Sequence, residues 1–383
     1  MKQRNYLLKV SLMSLFLFMP LLSQAATDNV FTWKNVPLDI TGNVSCFFTL
    51  IQKFNDKFYA FSGSGKSVDG GRAFGLVNSS DGIKWEQTNG SFGYDGDSDI
   101  TSATVWTNNN DNKHIYVAAA NIGSGANVYR SSNGESWQRV IADGLDSKNN
   151  DVINHILSFN NKIYAFTEND IDDGGSGARM FVSDTGKTGE WTVQKFSEYM
   201  QAPGIVSAAV INHTNSSGGK MPYLYIVTGN ASLYRTSDGE HWTKLPFNIW
   251  LNGYGTNLVE FNGYLYMATF GTNMFTSTNF TKLFRSQEPT LYGWEEIDIG
   301  ITSEEAVTIF ARKTKDDKAK YLYFSTYPSG YMFRIGQNTN QVERISEAYL
   351  GDPSAGPKYV DAILIGKNTF YVYGSTAKAF TFK

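Results

Sequence analysis

Apolar and polar residues alternate along most of this chain in short runs, which is the period of β-strands rather than of helices. An apolar residue followed by Tyr repeatedly opens such a run, directly after a polar turn containing Asn, Asp or Gly. This arrangement predicts a hairpin, and it recurs at intervals of roughly 40 to 60 residues. The seven pairs are Phe58-Tyr59, Ile115-Tyr116, Ile163-Tyr164, Leu224-Tyr225, Leu265-Tyr266, Leu322-Tyr323 and Phe370-Tyr371.

A second motif follows several of these hairpins and predicts a tight turn before a strand that opens with Trp. Its Asp or Asn can accept backbone N–H bonds, its Gly can adopt a positive φ, and its Ser or Thr hydroxyl can bond the backbone. The Trp offers a large ring to cover apolar surface between neighbouring sheets. The copies are Ser79-Ser80-Asp81-Gly82 with Trp85, Ser131-Ser132-Asn133-Gly134 with Trp137, Thr236-Ser237-Asp238-Gly239 with Trp242, and a looser Ser183-Asp184-Thr185-Gly186 with Trp191.

Together the two motifs predict an all-β, seven-bladed β-propeller of four-stranded antiparallel blades. The last unit ends before a Trp-bearing fourth strand, and the segment 31–36, with Trp33, supplies a matching strand at the other end. We therefore expect this N-terminal strand to complete the last blade and close the ring, since an open sheet edge invites fraying. Residues 26–383 are expected to form this single domain.

The turn motifs resemble the Asp-boxes of BNR-repeat proteins, and the whole repeat resembles the propellers of the sialidase superfamily. The usual family spacing has one more residue between Asp and Trp than Asp81 and Trp85 have here. The resemblance implies a propeller whose Asp-boxes lie on the face opposite the ligand pocket. It therefore informs the fold and says little about catalysis.

The N-terminus and the composition bear on the compartment. Lys2, Arg4 and Lys9 precede an apolar run that ends near Leu22, and small residues lead up to Ala25, which predicts a cleaved signal peptide over residues 1–25. The run is shorter than the ~20 residues of a membrane span. We expect a secreted or periplasmic monomer with no membrane span.

Charge and cysteine content remove other classes. The formal net charge of −3 disfavours nucleic acid, which requires a basic surface. The single cysteine, Cys46, cannot form an internal disulfide, and strand alternation favours a buried hydrophobic role for it. The 36 Gly and 22 Tyr suit many short strands joined by tight turns.

Candidate ligand-binding residues come from the loops expected at the mouth of the channel, where propellers bind ligands. Their carboxylates, amides, cations and aromatic rings could hold a sugar, although Asp and Gly also serve turns. The candidates are Lys66, Asp69, Arg72, Asp99, Asp172, Arg179, Tyr254, Asn257, Glu305, Tyr327 and Asp361. We expect no cofactor and no metal, while the acidic stretch 95–99 leaves calcium open.

Sialidase chemistry is disfavoured because it needs three arginines around a carboxylate. Four arginines recur at one strand position as structural repeats (Arg130, Arg235, Arg285 and Arg334), and the family's Arg-Ile-Pro signature is absent. The favoured hypothesis is an exported, non-catalytic propeller that binds a glycan or an extracytoplasmic protein at its mouth. The alternative is a carbohydrate-active enzyme, a glycoside hydrolase or lyase, using two acids there.

Overall fold

The computed structural model describes the chain in segments separated by gaps. They are residues 27–28, 30–36, 39–41, 48–66, 72–88, 92–94, 96–145, 147–168, 177–195, 204–214, 219–229, 232–246, 253–272, 279–289, 293–300, 306–311, 321–327, 330–337, 341–348, 362–364, 369–372 and 378–382. The predicted signal peptide and Cys46 lie outside them, so the signal peptide and the domain bounds stay predictions.

The described residues form 30 strands, and 24 of them make six antiparallel units of four consecutive strands, called blades here. Blade 1 contains β4 (Phe48–Phe54), β5 (Lys57–Lys66), β6 (Arg72–Ser79) and β7 (Lys84–Gln87). Blade 2 contains β8 (Ile100–Thr107), β9 (Lys113–Ala119), β10 (Asn127–Ser131) and β11 (Gln138–Ile141). Blade 3 contains β12 (Val152–Phe159), β13 (Lys162–Glu168), β14 (Arg179–Ser183) and β15 (Thr192–Lys195).

The remaining blades follow the same antiparallel order. Blade 4 contains β16 (Ile205–Thr214), β17 (Lys220–Thr228), β18 (Leu233–Thr236) and β19 (Thr243–Leu245). Blade 5 contains β20 (Gly253–Phe261), β21 (Tyr264–Thr272), β22 (Asn279–Ser286) and β23 (Glu295–Ile297). Blade 6 contains β24 (Ala306–Ala311), β25 (Tyr321–Tyr327), β26 (Met332–Gly336) and β27 (Val342–Arg344).

Three strands come from the N-terminus and three from the C-terminus. The first three are β1 (Thr27–Asp28), β2 (Trp33–Val36) and β3 (Asp39–Thr41). The last three are β28 (Ala362–Leu364), β29 (Thr369–Val372) and β30 (Lys378–Phe382). The strand β2 pairs antiparallel with β30, and with β28 and β29 they form a separate sheet.

The prediction of seven four-stranded antiparallel blades closed by the N-terminal strand is wrong. The structure shows six blades of consecutive strands, and the main described contacts between innermost strands run from β4 to β24 without reaching β28. The N-terminal segment divides its backbone bonds among three sheets: β1 adds parallel to β27, β2 pairs with β30, and β3 adds parallel to β7. Blades 1 and 6 therefore have five strands. Each Tyr motif marks a hairpin, and the seventh hairpin, β28–β29, does not belong to one of the six blades.

Buried side chains join the blades to one another. Among the described residues, five buried clusters lie between consecutive blades from the first to the sixth. The Trp of the turn motif takes part, as predicted: Trp137 stacks on Phe92 at a centroid distance of 4.5 Å and meets Phe61 of blade 1 edge-on. The core thus lies between blades, where each sheet covers the next.

The recurring Tyr residues make a second contact between blades. Tyr59, Tyr116 and Tyr164 each lie against the turn-motif glycine of the following blade, at Gly134, Gly186 and Gly239. At each of these glycines a Cβ would collide with the Tyr ring or hydroxyl, so a glycine is required by close approach as well as by its positive φ. The two sequence motifs are therefore partners across a blade boundary.

Candidate functional site

The two ends of the blades differ in their connections. One end, called the mouth face here, has the loops from each second to third strand and the connections into each innermost strand. The other end, called the turn face, has the short hairpin turns and the Asp-box-like turns. The sequence predicts ligand binding at the mouth face.

A β-bulge recurs near the start of the innermost strands, on the mouth face. It shifts the pairing between Ile100 and Ser102 in β8, between Ile153 and His155 in β12, and between Ile205 and Ser207 in β16. The same shift occurs in β4 and β20. A bulge leaves one residue out of the ladder and redirects its side chain, which frees Thr101 and Asn154 for other contacts.

The redirected side chains bond the next blade. Thr101 Oγ1 donates to the Ile153 carbonyl at 2.6 Å, and Asn154 Nδ2 donates to the Ile205 carbonyl at 3.2 Å. Serines one position further along accept bonds from the next blade. Ser102 Oγ accepts from the Ile156 amide at 3.1 Å, and Ser207 Oγ accepts from the Leu258 amide at 3.0 Å. These bonds hold neighbouring innermost strands together around the axis.

Asn154 and Glu168 form a polar pair at this inner mouth. Asn154 Nδ2 also donates to Glu168 Oε2 at 3.3 Å, and Glu168 forms an isolated bridge with Gly204 at the start of blade 4. Both side chains are half-buried. Their remaining polar atoms provide an amide oxygen and carboxylate oxygens, which are acceptors for hydroxyl groups of a ligand.

His155 occupies the position after the bulge that Ser102, Ser207 and Asn257 occupy in other blades. Its ring is half-buried, and desolvation lowers its pKa to about 4. The imidazole is therefore neutral at physiological pH. His155 therefore carries a neutral polar ring one position after Asn154 in the chain.

The mouth loops of blade 2 are organised by a buried carboxylate, Asp97. Its Oδ1 accepts from Asn127 Nδ2 at 2.6 Å and from Asn121 Nδ2 at 3.1 Å. Its Oδ2 accepts from Tyr129 Oη at 2.6 Å and from the Tyr94 amide at 2.8 Å. Four donors saturate this carboxylate, so Asp97 holds the loops in place and is not available to a ligand.

The predicted site residues fall into three groups. Asp99 is exposed beside β8, and Asn257 is half-buried after the bulge of β20. Arg179 is buried, and its Nη1 donates to the carbonyls of Gly177 at 2.9 Å and Ala178 at 3.4 Å. For Lys66, Arg72, Tyr254 and Tyr327 the structure describes the backbone: Lys66 pairs with Arg72, Tyr254 with Phe270 and Tyr327 with Ala306. The last four candidates lie outside the described residues: Asp69, Asp172, Glu305 and Asp361.

Sequence reasoning did not single out Glu168, His155 or the anchoring role of Asp97. Strand alternation assumes an unbroken ladder, whereas the bulge changes which side chains share a face. The available signal was an Ile followed two positions later by a polar residue, at Ser102, His155 and Ser207.

Metal-binding clusters and membrane-spanning helices are both absent from the described residues. No group of three or more His, Cys, Asp or Glu side chains in that part of the chain could hold a metal ion. Nor does it include a helix of the length and apolar character needed to cross a membrane.

Comparison with known proteins supports the fold. The chain is similar in structure to the GH74 xyloglucanase from Xanthomonas campestris, with a TM-score of 0.58 and 14% identity over 91% of this chain and 53% of the other. It is also similar to PorZ of Porphyromonas gingivalis, a surface component of the type-IX secretion system, with a TM-score of 0.51 and 13% identity over 89% and 48%. The chain is a β-propeller. It spans about half the length of these two proteins.

At such low identity the likeness concerns the fold alone. No protein-family model matches the chain, and no curated protein matches it.

Proposed function

We propose that this protein is an exported, non-catalytic binding propeller that recognises a neutral glycan at its mouth. The observation that carries the proposal is the Asn154–Glu168 pair, whose amide and carboxylate lie side by side on strands bonded to both neighbouring blades. Rigidly held planar polar groups can engage several sugar hydroxyls at a small entropic cost.

Four of the described arginines contact other groups of the protein, which favours a neutral ligand over an anionic one. Arg179 is one of the predicted ligand-binding residues, but its guanidinium bonds the carbonyls of its own loop. The repeated Arg235, Arg285 and Arg334 stack on Tyr rings at the turn face, with distances of 5.0, 4.8 and 4.3 Å to the ring centroids. These arginines are engaged in structural roles, which argues against sialic-acid chemistry.

The turn geometry supports placing the chain among Asp-box proteins. Asp81 Oδ1 accepts from the amides of Ile83 and Lys84 at 2.8 and 2.9 Å, and Ser79 Oγ accepts from Gly82 at 2.7 Å. The turns at Asn133 and Asp238 repeat this pattern. Export is a further part of the proposal, and it rests on the basic head and apolar run of residues 1–25.

An array of neutral oligosaccharides, with xyloglucan fragments included, tests binding by the mature chain. We expect saturable binding without product, and Glu168→Gln should weaken it at least tenfold because one acceptor becomes a donor. Glu240→Gln is the matched control, because Glu240 is exposed on the turn face. Its affinity should equal that of the wild type.

The enzyme alternative is tested with the same ligands. The structural likeness to a xyloglucanase makes release of reducing sugar from xyloglucan the first activity to measure. Turnover that is abolished by Glu168→Gln or Asp99→Asn would replace the binding proposal with hydrolysis. A folded wild-type chain that binds no member of the array would contradict the proposal altogether.

A further inference from the structure

The mouth face of blade 2 exposes three large apolar side chains to solvent. Tyr94, Ile122 and Leu145 are 46%, 75% and 38% exposed. The two other large apolar residues that are exposed in the described structure, Val30 and Met221, lie elsewhere in the fold. Scattered apolar residues are ordinary on a protein surface, whereas a local group of them often marks an interaction site.

The three side chains belong to loops that are bonded to one another. The loop of Ile122 contacts the loop of Leu145 through the Gly144 amide, which donates to the Ala126 carbonyl at 3.0 Å. The buried carboxylate of Asp97 bonds both the Tyr94 amide and the Asn121 side chain. These bonds join the three loops, and Tyr94, Ile122 and Leu145 are together called the blade-2 patch here.

Two of the loops hold their apolar residue outward in a fixed conformation. Asn121 Oδ1 accepts from the amides of Gly123 and Ser124 at 3.1 and 3.0 Å, which fixes the turn that presents Ile122. Leu145 has a φ of 61°, in the left-handed region that a leucine rarely adopts. Such a conformation costs about 1 kcal/mol or more, and residues held this way concentrate at binding sites.

A charged pair borders the patch. The guanidinium carbon of Arg139 lies 3.9 Å from the centroid of the Tyr94 ring and covers one side of it. Arg139 Nη1 also lies 3.4 Å from Asp143 Oδ1. An apolar centre with charged groups at its rim is the usual composition of a protein–protein contact.

We propose that the blade-2 patch docks a short apolar segment of a partner protein. Branched aliphatic side chains at Ile122 and Leu145 suit apolar side chains of a peptide better than sugar rings, which stack on exposed aromatic faces. The exposed fractions of the three residues correspond to on the order of 300 Å² of surface, well below the ~800 Å² per partner of a standard interface. That area fits a peptide-sized anchor and is too small for a stable dimer. The proposal is independent of glycan binding at Asn154 and Glu168.

A phage-displayed library of random 12-residue peptides, selected on the whole mature chain, tests the proposal. Recovered peptides should carry at least two apolar residues and bind with micromolar Kd in calorimetry. Ile122→Ser should weaken their binding at least tenfold, since it removes the most exposed anchor without touching the core. Met221→Ser is the matched control, because Met221 is an exposed apolar residue near the turn face, and it should leave the affinity unchanged.

Other outcomes would overturn the proposal. Failure to recover any peptide whose binding depends on Ile122 would do so. So would self-association of the wild type in sedimentation experiments that Ile122→Ser abolishes, because the occupant would then be a second copy. Loss of oligosaccharide binding in Ile122→Ser would assign the patch to the glycan site, whereas retained oligosaccharide binding separates this proposal from the proposed function.

Discussion

At the scale of single residues, the contact between the repeated Tyr and the repeated Gly explains two features of the sequence at once. Tyr164 is fully buried, and burial raises the pKa of its hydroxyl to about 12. Its ring and hydroxyl lie where a Cβ on Gly239 would be. The Tyr therefore remains uncharged, and its partner must lack a side chain.

Replacing Gly239 with Ala should destabilise the protein more than the same change at Gly189. Both glycines have a positive φ, 84° and 78°, so each substitution costs about 1 kcal/mol of backbone strain. Only at Gly239 does the new methyl group meet Tyr164, whereas nothing lies within 4 Å of it at Gly189. The collision should add roughly 1–3 kcal/mol. Urea denaturation of the two variants measures the difference, and equal midpoints would contradict the packing described here.

At the scale of elements, the turn before the outer strand retains its geometry while its residues vary. In blade 3, Thr185 rather than Asp184 takes the place of the Asp, and Ser183 Oγ still accepts from the Gly186 amide at 2.8 Å. Blade 5 has neither Asp nor Gly in 286–289, and there His213 of blade 4 bonds Tyr225 Oη at 2.6 Å and Glu288 at 3.2 Å. The contact between neighbouring blades thus recurs at the same place, while the residues that form it differ.

The turn at Asp81 offers a test with a natural control. Asp81→Ala should cost about 1–2 kcal/mol, because the amides of Ile83 and Lys84 lose their acceptor. Asp81→Asn should stay within about 0.5 kcal/mol at pH 7, since Asn133 accepts the same two bonds at 2.9 Å in blade 2. Thermal unfolding compares the three proteins, and an Asn variant as unstable as the Ala variant would refute this account.

The stability difference between the wild type and Asp81→Asn should depend on pH. Bonds from the amides of Lys84 and Ile83 lower the pKa of Asp81 below 3.8. The unfolded chain therefore takes up the proton first, and the contribution of Asp81 is lost as the pH falls through its folded pKa. Asp81→Asn should therefore become more stable than the wild type in that acidic range.

At the scale of the whole molecule, bonds between innermost strands join the blades around the axis. Ser207 is buried, and its Oγ accepts from the Leu258 amide of the next blade. Such a bond connects segments that are about fifty residues apart in sequence. Cooperative unfolding of several blades follows from links of this kind.

Ser207→Ala should lower the free energy of unfolding by about 1–2 kcal/mol, because it leaves the buried Leu258 amide without this acceptor. Ser132→Ala, at an exposed position of a turn, is the control and should change stability by less than 0.5 kcal/mol. Hydrogen exchange at the Leu258 amide provides a local measurement. Unchanged protection of that amide in Ser207→Ala would rule out the bond between the blades.

Strand content and turn chemistry were determined by the sequence alone, because they depend on residues close together in the chain. Period-2 alternation located the hairpins at Tyr59, Tyr116 and Tyr164, and the Asp-box-like turns predicted the bonds that Asp81 and Asp238 make. Both features follow from the local pleat and from local side-chain to backbone bonds.

Only the tertiary structure decided the number of blades, the division of the N-terminal segment among three sheets, and the residues that meet at the mouth. These depend on pairing between distant segments, where one bulge changes the face of every side chain beyond it. The bulge at Asn154 brings its amide to Glu168, fourteen residues away, and Asp97 accepts bonds from one other loop, at Asn121, and from strand β10. Neither contact is encoded in a local pattern, because each is formed when separate strands and loops pack together.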